Sequence, residues 1–279
     1  MVSAPLAITG STGRLGGRIA RLLAADHLPQ RLVVRDTSRA PGLPETEAVQ
    51  ASYDDGSAAV AALTGCETAL MVSGSESADR VRDHKRFVDA AVEAGVRHLV
   101  YVSFYGAAPT ATFTLARDHW ATEKHIEASG LQWTFLRDNL YLDFFPFLAG
   151  DDGTIRGPAG EGRVAAVAQD DVAAAASALL RAPADHEGAT YSLTGPEAIT
   201  LDEAAAQMSR LTGKSISYHG ESIEEAYASR ASYGAPDWQV EAWVSTYTAI
   251  ASGDLAGVTD DIERLTGRPP MSLEDLLRQ

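Results

Sequence analysis

Close to the start of the chain, Gly10-Ser11-Thr12-Gly13-Arg14-Leu15-Gly16 sets three glycines at Gly-x-x-Gly-x-x-Gly spacing. The apolar run Leu6-Ala7-Ile8-Thr9 precedes it, and Leu15, Ile19, Leu22 and Leu23 follow on one helical face. That context predicts a turn from a buried strand into a helix. The first glycine permits the tight turn, the second lets the backbone approach a pyrophosphate, and the third lets the helix pack closely on the sheet. The open N–H groups and positive end of the helix then face the phosphates. Gly10, Ser11, Thr12, Gly13, Arg14 and Leu15 are therefore the expected phosphate-binding residues.

The kind of dinucleotide follows from the end of the second strand-like run, Arg31-Leu32-Val33-Val34-Arg35. A protein reading the ribose of NAD places Asp or Glu there, whereas a 2′-phosphate calls for arginine. Here the residue is Arg35, with Ser38 and Arg39 close behind. A guanidinium grips a phosphate with two prongs and stacks on adenine. Arg14 adds a second positive charge, and Asp36 is the one opposing feature. NADP(H) is expected in preference to NAD(H).

The elements that must position these groups are legible as alternating runs. Short strands are expected at Ala48–Ala51, Thr68–Ser73, His98–Ser103 and Gln132–Leu136, with helices at Ser57–Leu63, Ala78–Ala94 (ended by Gly95) and Ala116–Ser129 (ended by Gly130). This alternation predicts an α/β fold, a Rossmann-type doubly wound parallel sheet. Beyond Asp138 the pattern changes. An aromatic stretch, Tyr141–Leu148, leads into a glycine-rich segment of loops and short strands, Gly150–Gly162. Helices are then expected at Asp170–Arg181, Leu201–Leu211, Ile223–Arg230 and Trp238–Ser252, and a strand at Ala189–Leu193. The division is a dinucleotide domain over 1–138 and a smaller, mostly helical substrate lobe over 139–279, some segments of which return to the sheet.

Three stretches together resemble a known family: Thr9 to Gly17, Val34-Arg35, and Trp133-Thr134-Phe135-Leu136-Arg137 with its continuation Asp138-Asn139-Leu140-Tyr141-Leu142-Asp143-Phe144-Phe145. They look like the NmrA-like atypical short-chain dehydrogenase/reductases, in the branch of bacterial NAD(P)H:quinone oxidoreductases and triphenylmethane reductases. Thr259 to Pro269 is similar to the end of those proteins, so the resemblance spans nearly the whole chain. It implies a nicotinamide cofactor across the carboxyl ends of the strands. Ser73, Gly74 and Ser75 would pass beside its ribose and pyrophosphate, and Ser52 and Tyr53 would flank the adenine. Many relatives carry Asp in place of Ser52. Relatives also often show Asn directly after Leu-Arg, where this chain has Asp138 and then Asn139, a polar contact to substrate.

Conventional members of that superfamily use Tyr-x-x-x-Lys, whose spacing sets both side chains on one helical face. The lysine lowers the tyrosine pKa, so the phenol protonates a carbonyl oxygen. The matching register here is Trp120-Ala121-Thr122-Glu123-Lys124. Lysine is present and tyrosine is not. An indole N–H is no general acid, so alcohol/ketone chemistry loses its donor, and Ser103, at the family's strand-five serine, is left without its partner. Acceptors that need little protonation during hydride transfer, such as quinones and cationic dyes, suit such a site, with catalysis resting on positioning in a dry pocket. Lys124 is the catalytic candidate and would also hold the ribose. Tyr105, Phe113, Asn139, Tyr141 and Phe145 are the expected substrate residues, lining the place of a small planar aromatic acceptor.

The remaining composition narrows the classes. A net charge of −15 over 279 residues opposes general nucleic-acid binding. No apolar run approaches the roughly 18 residues of a membrane span. Cys66 is the one cysteine, so no internal disulfide forms, and with no secretory signal before the first strand the expected location is the cytoplasm. His119 and His125 stand six apart, off the four-residue spacing of helical metal ligands, and no Gly-x-Ser-x-Gly elbow is present. The expected activity is an NADPH-dependent reductase of quinones or similar acceptors, acting as a monomer or homodimer. The rival readings are a non-catalytic NADP(H)-binding redox sensor of the NmrA type and a reductase or epimerase of a small metabolite.

Overall fold

The computed structural model describes residues 6–279. The stretch before Leu6, on which the expectation about a secretory signal rests, lies outside the described residues. No described helix is long and apolar enough to cross a membrane.

In chain order the first elements are β1 (Leu6–Thr9), α1 (Arg14–Ala25), β2 (Gln30–Val34), β3 (Thr46–Gln50), α2 (Gly56–Leu63), β4 (Thr68–Val72), α3 (Arg80–Glu93), β5 (His98–Phe104), α4 (Thr114–Ala128) and β6 (Gln132–Asp138). Next come β7 (Thr154–Gly157), β8 (Arg163–Val164), α5 (Gln169–Leu180), β9 (Ala189–Leu193), β10 (Ile199–Thr200) and α6 (Leu201–Thr212). The chain ends with β11 (Ser217–Gly220), α7 (Ile223–Arg230), α8 (Asp237–Ala251), α9 (Asp261–Thr266) and α10 (Leu273–Leu277).

Two compact units emerge. The first comprises the described residues of Met1–Phe104 together with Asp118–Arg137 and Val172–Tyr191. It is built on a sheet of order β3-β2-β1-β4-β5-β6-β9, with parallel pairing from β3 through β5. β1 and β5 are buried along their whole length, as expected of strands covered on both faces by helices. The apolar face of α1 is formed by Leu15, Ile19, Ala20, Leu23 and Ala24, and each large side chain buried there stabilises the unit by about 1.5–3 kcal/mol. Leu22, expected on that face, is 40 % exposed. It sits too far round the helix, and Ala20 and Ala24 complete the stripe instead. Chain order reverses between β1 and β4, and ligands of open α/β sheets bind at such a switch point, beyond the carboxyl ends of the strands.

The second unit comprises Tyr105–Arg117, Asp138–Asp171 and Ser192–Gln279. It holds the parallel pair β7–β11 and the antiparallel pair β8–β10, the helices α6 to α10, and a 3-10 turn at Leu142–Phe147 in the aromatic stretch. α6, α7 and α10 each open with a capping box: Thr200 with Glu203, Ser222 with Glu225, and Ser272 with Asp275.

Candidate dinucleotide site

The glycine turn leaves β1 at Gly10, whose φ of +68° is the left-handed conformation that side chains resist. The Gly13 N–H closes the turn on the Gly10 carbonyl at 2.9 Å. At Gly16 a Cβ would lie 2.4 Å from that same carbonyl oxygen, so only glycine lets α1 approach β1 this closely. Gly13 caps α1 with extended backbone and no side-chain hydrogen bond, and no acidic residue occupies the first turn. The first N–H groups of α1 are therefore served by no capping side chain. Beside them the Ser11 hydroxyl is buried, 2 % exposed, with no hydrogen-bond partner among the described residues. An orphan hydroxyl next to an uncapped, acid-free helix end fits a phosphate oxygen. Thr12, Gly13 and Arg14 are exposed on the turn, and Leu15 is buried beneath it.

Arg35, the first residue past β2, is exposed, and its guanidinium has no ion-pair or hydrogen-bond partner among the described residues. Its carbonyl is fixed by the Gln50 amide at 3.1 Å. The Asp36 carboxylate is engaged within its own turn. It accepts from both the Ser38 N–H (2.9 Å) and the Ser38 hydroxyl (2.7 Å), capping the short turn Thr37–Arg39. Those Ser38 hydrogen bonds, with a smaller contribution from Arg39, hold its pKa below the usual carboxylate range. The opposing feature of the sequence is thus engaged locally, while Arg35 remains available to an anion.

The exit of β4 is held by an arrangement that sequence reasoning missed. The Val72 N–H donates to the Thr9 hydroxyl at 2.9 Å, and the Val72 carbonyl accepts from the Tyr53 hydroxyl at 2.6 Å. Two residues on, the Gly74 N–H donates to Nε2 of His84 at 2.9 Å, and the Gly74 carbonyl accepts from Nε of Arg80 at 3.1 Å. Arg80 and His84 lie one turn apart at the start of α3. Their other atoms meet a buried set on β5 and α4: Nη2 of Arg80 lies 2.9 Å from Nε2 of His119, Nδ1 of His119 lies 3.0 Å from the Tyr101 hydroxyl, and Nδ1 of His84 lies 3.0 Å from Thr122 Oγ1. Because Gly74 and Arg80 are donors, each histidine presents a bare Nε2 and carries its proton on Nδ1. Burial, with the Arg80 charge, pushes His84 down to about 3 and His119 well below its ordinary value. Burial also holds the Tyr53 and Tyr101 phenols far above their usual range. Neither phenol is a proton source near neutrality.

Several expected site residues have protein partners of their own. Tyr53 braces β1 against β4 through Thr9 and Val72 and packs on Phe87 at 4.6 Å between ring centroids, and the Ser52 hydroxyl donates to Asp54. Lys124 projects from the exposed face of α4 and pairs with Glu127 at 2.7 Å. The inward face of α4 belongs to His119, Thr122, Glu123 and Ile126. Glu123 is fully buried; it accepts the Ser103 hydroxyl at 2.6 Å and both prongs of Arg137 at 2.9 and 2.6 Å. The Ser103 proton is thereby committed to a structural ion pair.

In the second unit, Asn139 is buried and hydrogen-bonded to the backbone. It is 1 % exposed, its amide donates to the Leu255 carbonyl at 3.0 Å, and its oxygen accepts from the Leu140 N–H. Phe113 and Phe145 are likewise buried core. Tyr105 and Tyr141 are half-buried, and the Tyr141 hydroxyl donates to Asp138. Phe144, a further aromatic expected along a flat substrate, is exposed and lies 5.8 Å from the Tyr141 ring.

A three-glycine turn opening onto an uncapped helix, at the point where strand order reverses, defines a Rossmann-type dinucleotide-binding protein. Within that class the NmrA-like family model matches residues 3–241, and the chain belongs to this family. Quinone oxidoreductase 2 of Escherichia coli is 32 % identical over 277 residues, covering 97 % of this chain and 96 % of that one. The structure of that enzyme with NADPH matches with a TM-score of 0.89 over 98 % of each chain. An NAD(P)H azoreductase of Xenophilus azovorans is 30 % identical over 97 % of this chain and 96 % of its own length. The triphenylmethane reductase of a Citrobacter species, solved with NADP(H), is 30 % identical with a TM-score of 0.87, covering 98 % of this chain and 99 % of that one.

Proposed function

We propose that this protein is an NADPH-dependent oxidoreductase that passes hydride directly to a quinone or similar planar aromatic acceptor. The observation that carries the reading is the uncapped start of α1, with the orphan Ser11 hydroxyl beside it and the unpaired Arg35 at the end of β2. The relatives that act on quinones, azo compounds and triphenylmethane dyes support the choice of acceptor.

NADPH, when bound, supplies the hydride. The N–H groups of the glycine turn and the Ser11 hydroxyl bind the pyrophosphate, and Arg35 grips the 2′-phosphate with Arg14 adding positive charge. The Ser73–Ser75 segment would lie along the ribose. Trp120 stands where a proton-donating tyrosine would be, and Ser103 is committed to Glu123. The acceptor therefore gains its hydride without an internal acid: quinone, NADPH and one proton from water give hydroquinone and NADP⁺. A quinone tolerates this because its reduced charge is delocalised over the ring. The half-buried Tyr105 and Tyr141 and the exposed Phe144 are the candidates for contacts to the flat acceptor.

The test is a fluorescence titration with NADPH and NADH, followed by addition of a benzoquinone to the same sample. NADPH should bind more tightly, and its oxidation should depend on the quinone. Arg35→Ala should weaken NADPH about 10- to 100-fold, the scale of a lost charged hydrogen bond, and NADH by less than about twofold. Equal losses would remove the 2′-phosphate assignment. Tight NADPH binding with no turnover across quinones, azo compounds and triphenylmethane dyes would instead make the chain a cofactor-binding sensor.

A further inference from the structure

The β4 exit is fastened in an alternating way. Both backbone polar groups of Val72 and both of Gly74 are taken by side chains, namely Thr9, Tyr53, His84 and Arg80. The hydroxyls of Ser73 and Ser75, between and beyond them, have no partner among the described residues. A segment leaving a sheet ordinarily satisfies its backbone with water or with a regular turn. Here four side chains replace water and turn, two of them drawn from the buried part of α3.

The Gly74 end is the more specialised. At Gly74 the fit is close: a Cβ would stand 3.2 Å from Nε2 of His84, crowding the ring that accepts the Gly74 N–H. The two groups that hold its peptide are themselves held: His84 by Thr122, and Arg80 by His119 and, at 3.7 Å, by Asp118. Arg80 and His84 are 6 % and 1 % exposed, so neither is placed to touch a ligand directly. A buried guanidinium and two buried neutral imidazoles are costly to desolvate. Apolar residues of similar volume would fill the same space between α3 and α4 without that cost. What they would not supply is one donor and one acceptor aimed at the polar groups of a single residue.

We propose that His84 and Arg80 are positioning residues for the cofactor, which by gripping both backbone polar groups of Gly74 set the Ser73–Ser75 segment in register with the glycine turn. The linkage to the turn is direct. Thr9, the residue before Gly10, holds Val72, so phosphate turn and β4 exit share one hydrogen-bonded frame. The inference rests on the dinucleotide-binding reading, and it adds that affinity depends on a network that never meets the ligand. Pre-ordering of this kind raises affinity by removing the ordering cost at binding.

The experiment compares His84→Phe, which keeps the ring but loses the acceptor, with His84→Gln, whose amide oxygen reaches the place of Nε2. Kd for NADPH, KM for NADPH and for a benzoquinone, kcat and Tm are measured for both and for the wild type. His84→Phe should raise Kd and KM for NADPH about tenfold, the scale of one hydrogen bond, with quinone KM and kcat at saturating NADPH unchanged. Backbone amide exchange in the Val72–Ser77 peptide should accelerate. His84→Gln should restore NADPH affinity to within about twofold of wild type, also if His84→Phe folds poorly. NADPH affinity unchanged in a folded His84→Phe, or a His84→Gln no better than His84→Phe, would overturn the positioning role. Wild-type protein that binds neither NADPH nor NADH would overturn the dinucleotide reading itself and the inference with it.

Discussion

Helix α1 and three helices of the second unit start in opposite ways. In the second unit α6, α7 and α10 each bond their first N–H groups to their own Thr200, Ser222 or Ser272, and each carries acids in the first turn. In the first unit α1 begins at a glycine, with no cap and no acid. A capping box stabilises the helix and leaves nothing for a ligand. A bare end forgoes about 1 kcal/mol of local stability and keeps the N–H groups for an anion. The contrast sets three boxed helix starts against the glycine start of α1, the end proposed to receive the cofactor phosphates.

The strongest way to break this contrast is to give α1 the cap it lacks. Gly13→Asp sets a carboxylate at the N-cap, where it both satisfies the N–H groups and repels a pyrophosphate. NADPH affinity should fall on the order of a hundredfold, from the loss of charged hydrogen bonds and the added repulsion, while circular dichroism reports a folded protein. Unchanged affinity would mean that the phosphates bind elsewhere.

Acid provides the next largest effect, and it should act on the two units in sequence. His84 and His119 are depressed in the folded protein, His84 to about 3 from an ordinary 6.5. Between these values the unfolded chain binds more protons than the folded one, so stability falls as pH drops from about 6.5 toward 3. The box residues Glu203, Glu225 and Asp275 are lowered carboxylates, chiefly through hydrogen bonds from Arg163, Ser222 and Ser272 respectively. Their contribution is full above the unfolded carboxylate range and is lost only as pH falls through their lowered values. Amide exchange should therefore loosen the Gly74 region from about pH 6 downward and the starts of α6, α7 and α10 only below about pH 4. His84→Gln should flatten the first slope of Tm against pH and leave the second.

The smallest effect sharpens the comparison from the other side. Thr200→Ala removes the α6 cap and should cost about 1 kcal/mol in denaturant unfolding, with NADPH affinity unaltered. A matching loss of affinity would tie the caps to binding and erase the distinction.

The glycine turn and the sheet were legible in the sequence because both rest on short-range rules. A buried strand needs a run of apolar residues, and a close helix–strand approach needs glycine, as at Gly16. Helix rotation is set by tertiary packing, which spacing alone does not reveal. Lys124 shares a face with Trp120 by spacing, but α4 turns Thr122, Glu123 and Ile126 inward and leaves Lys124 in solvent. Phe113, Asn139 and Phe145 have the composition of a binding wall, and how deeply each is buried is set by packing that spacing does not reveal. The Gly74 clamp had a faint local signal, Arg80 and His84 one turn apart behind a glycine. Its partners His119 and Thr122 come from a helix far along the chain, which no spacing within α3 announces. The strand β11 and the short helices α9 and α10 escaped because four to six residues carry too little periodicity to register.

The edge strand β9 has a consequence for how the protein is made. The sheet ends in a strand beginning at Ala189, and the first unit also takes in Val172–Tyr191. A ribosome that has released the chain only as far as Asp138 has delivered the glycine turn and six strands, but not the cover for β6. That strand then presents an unpaired edge, the kind of surface on which nascent chains stick to one another. The cofactor half thus cannot be finished before much of the other half has been synthesised, so the order of translation and the order of folding are different orders.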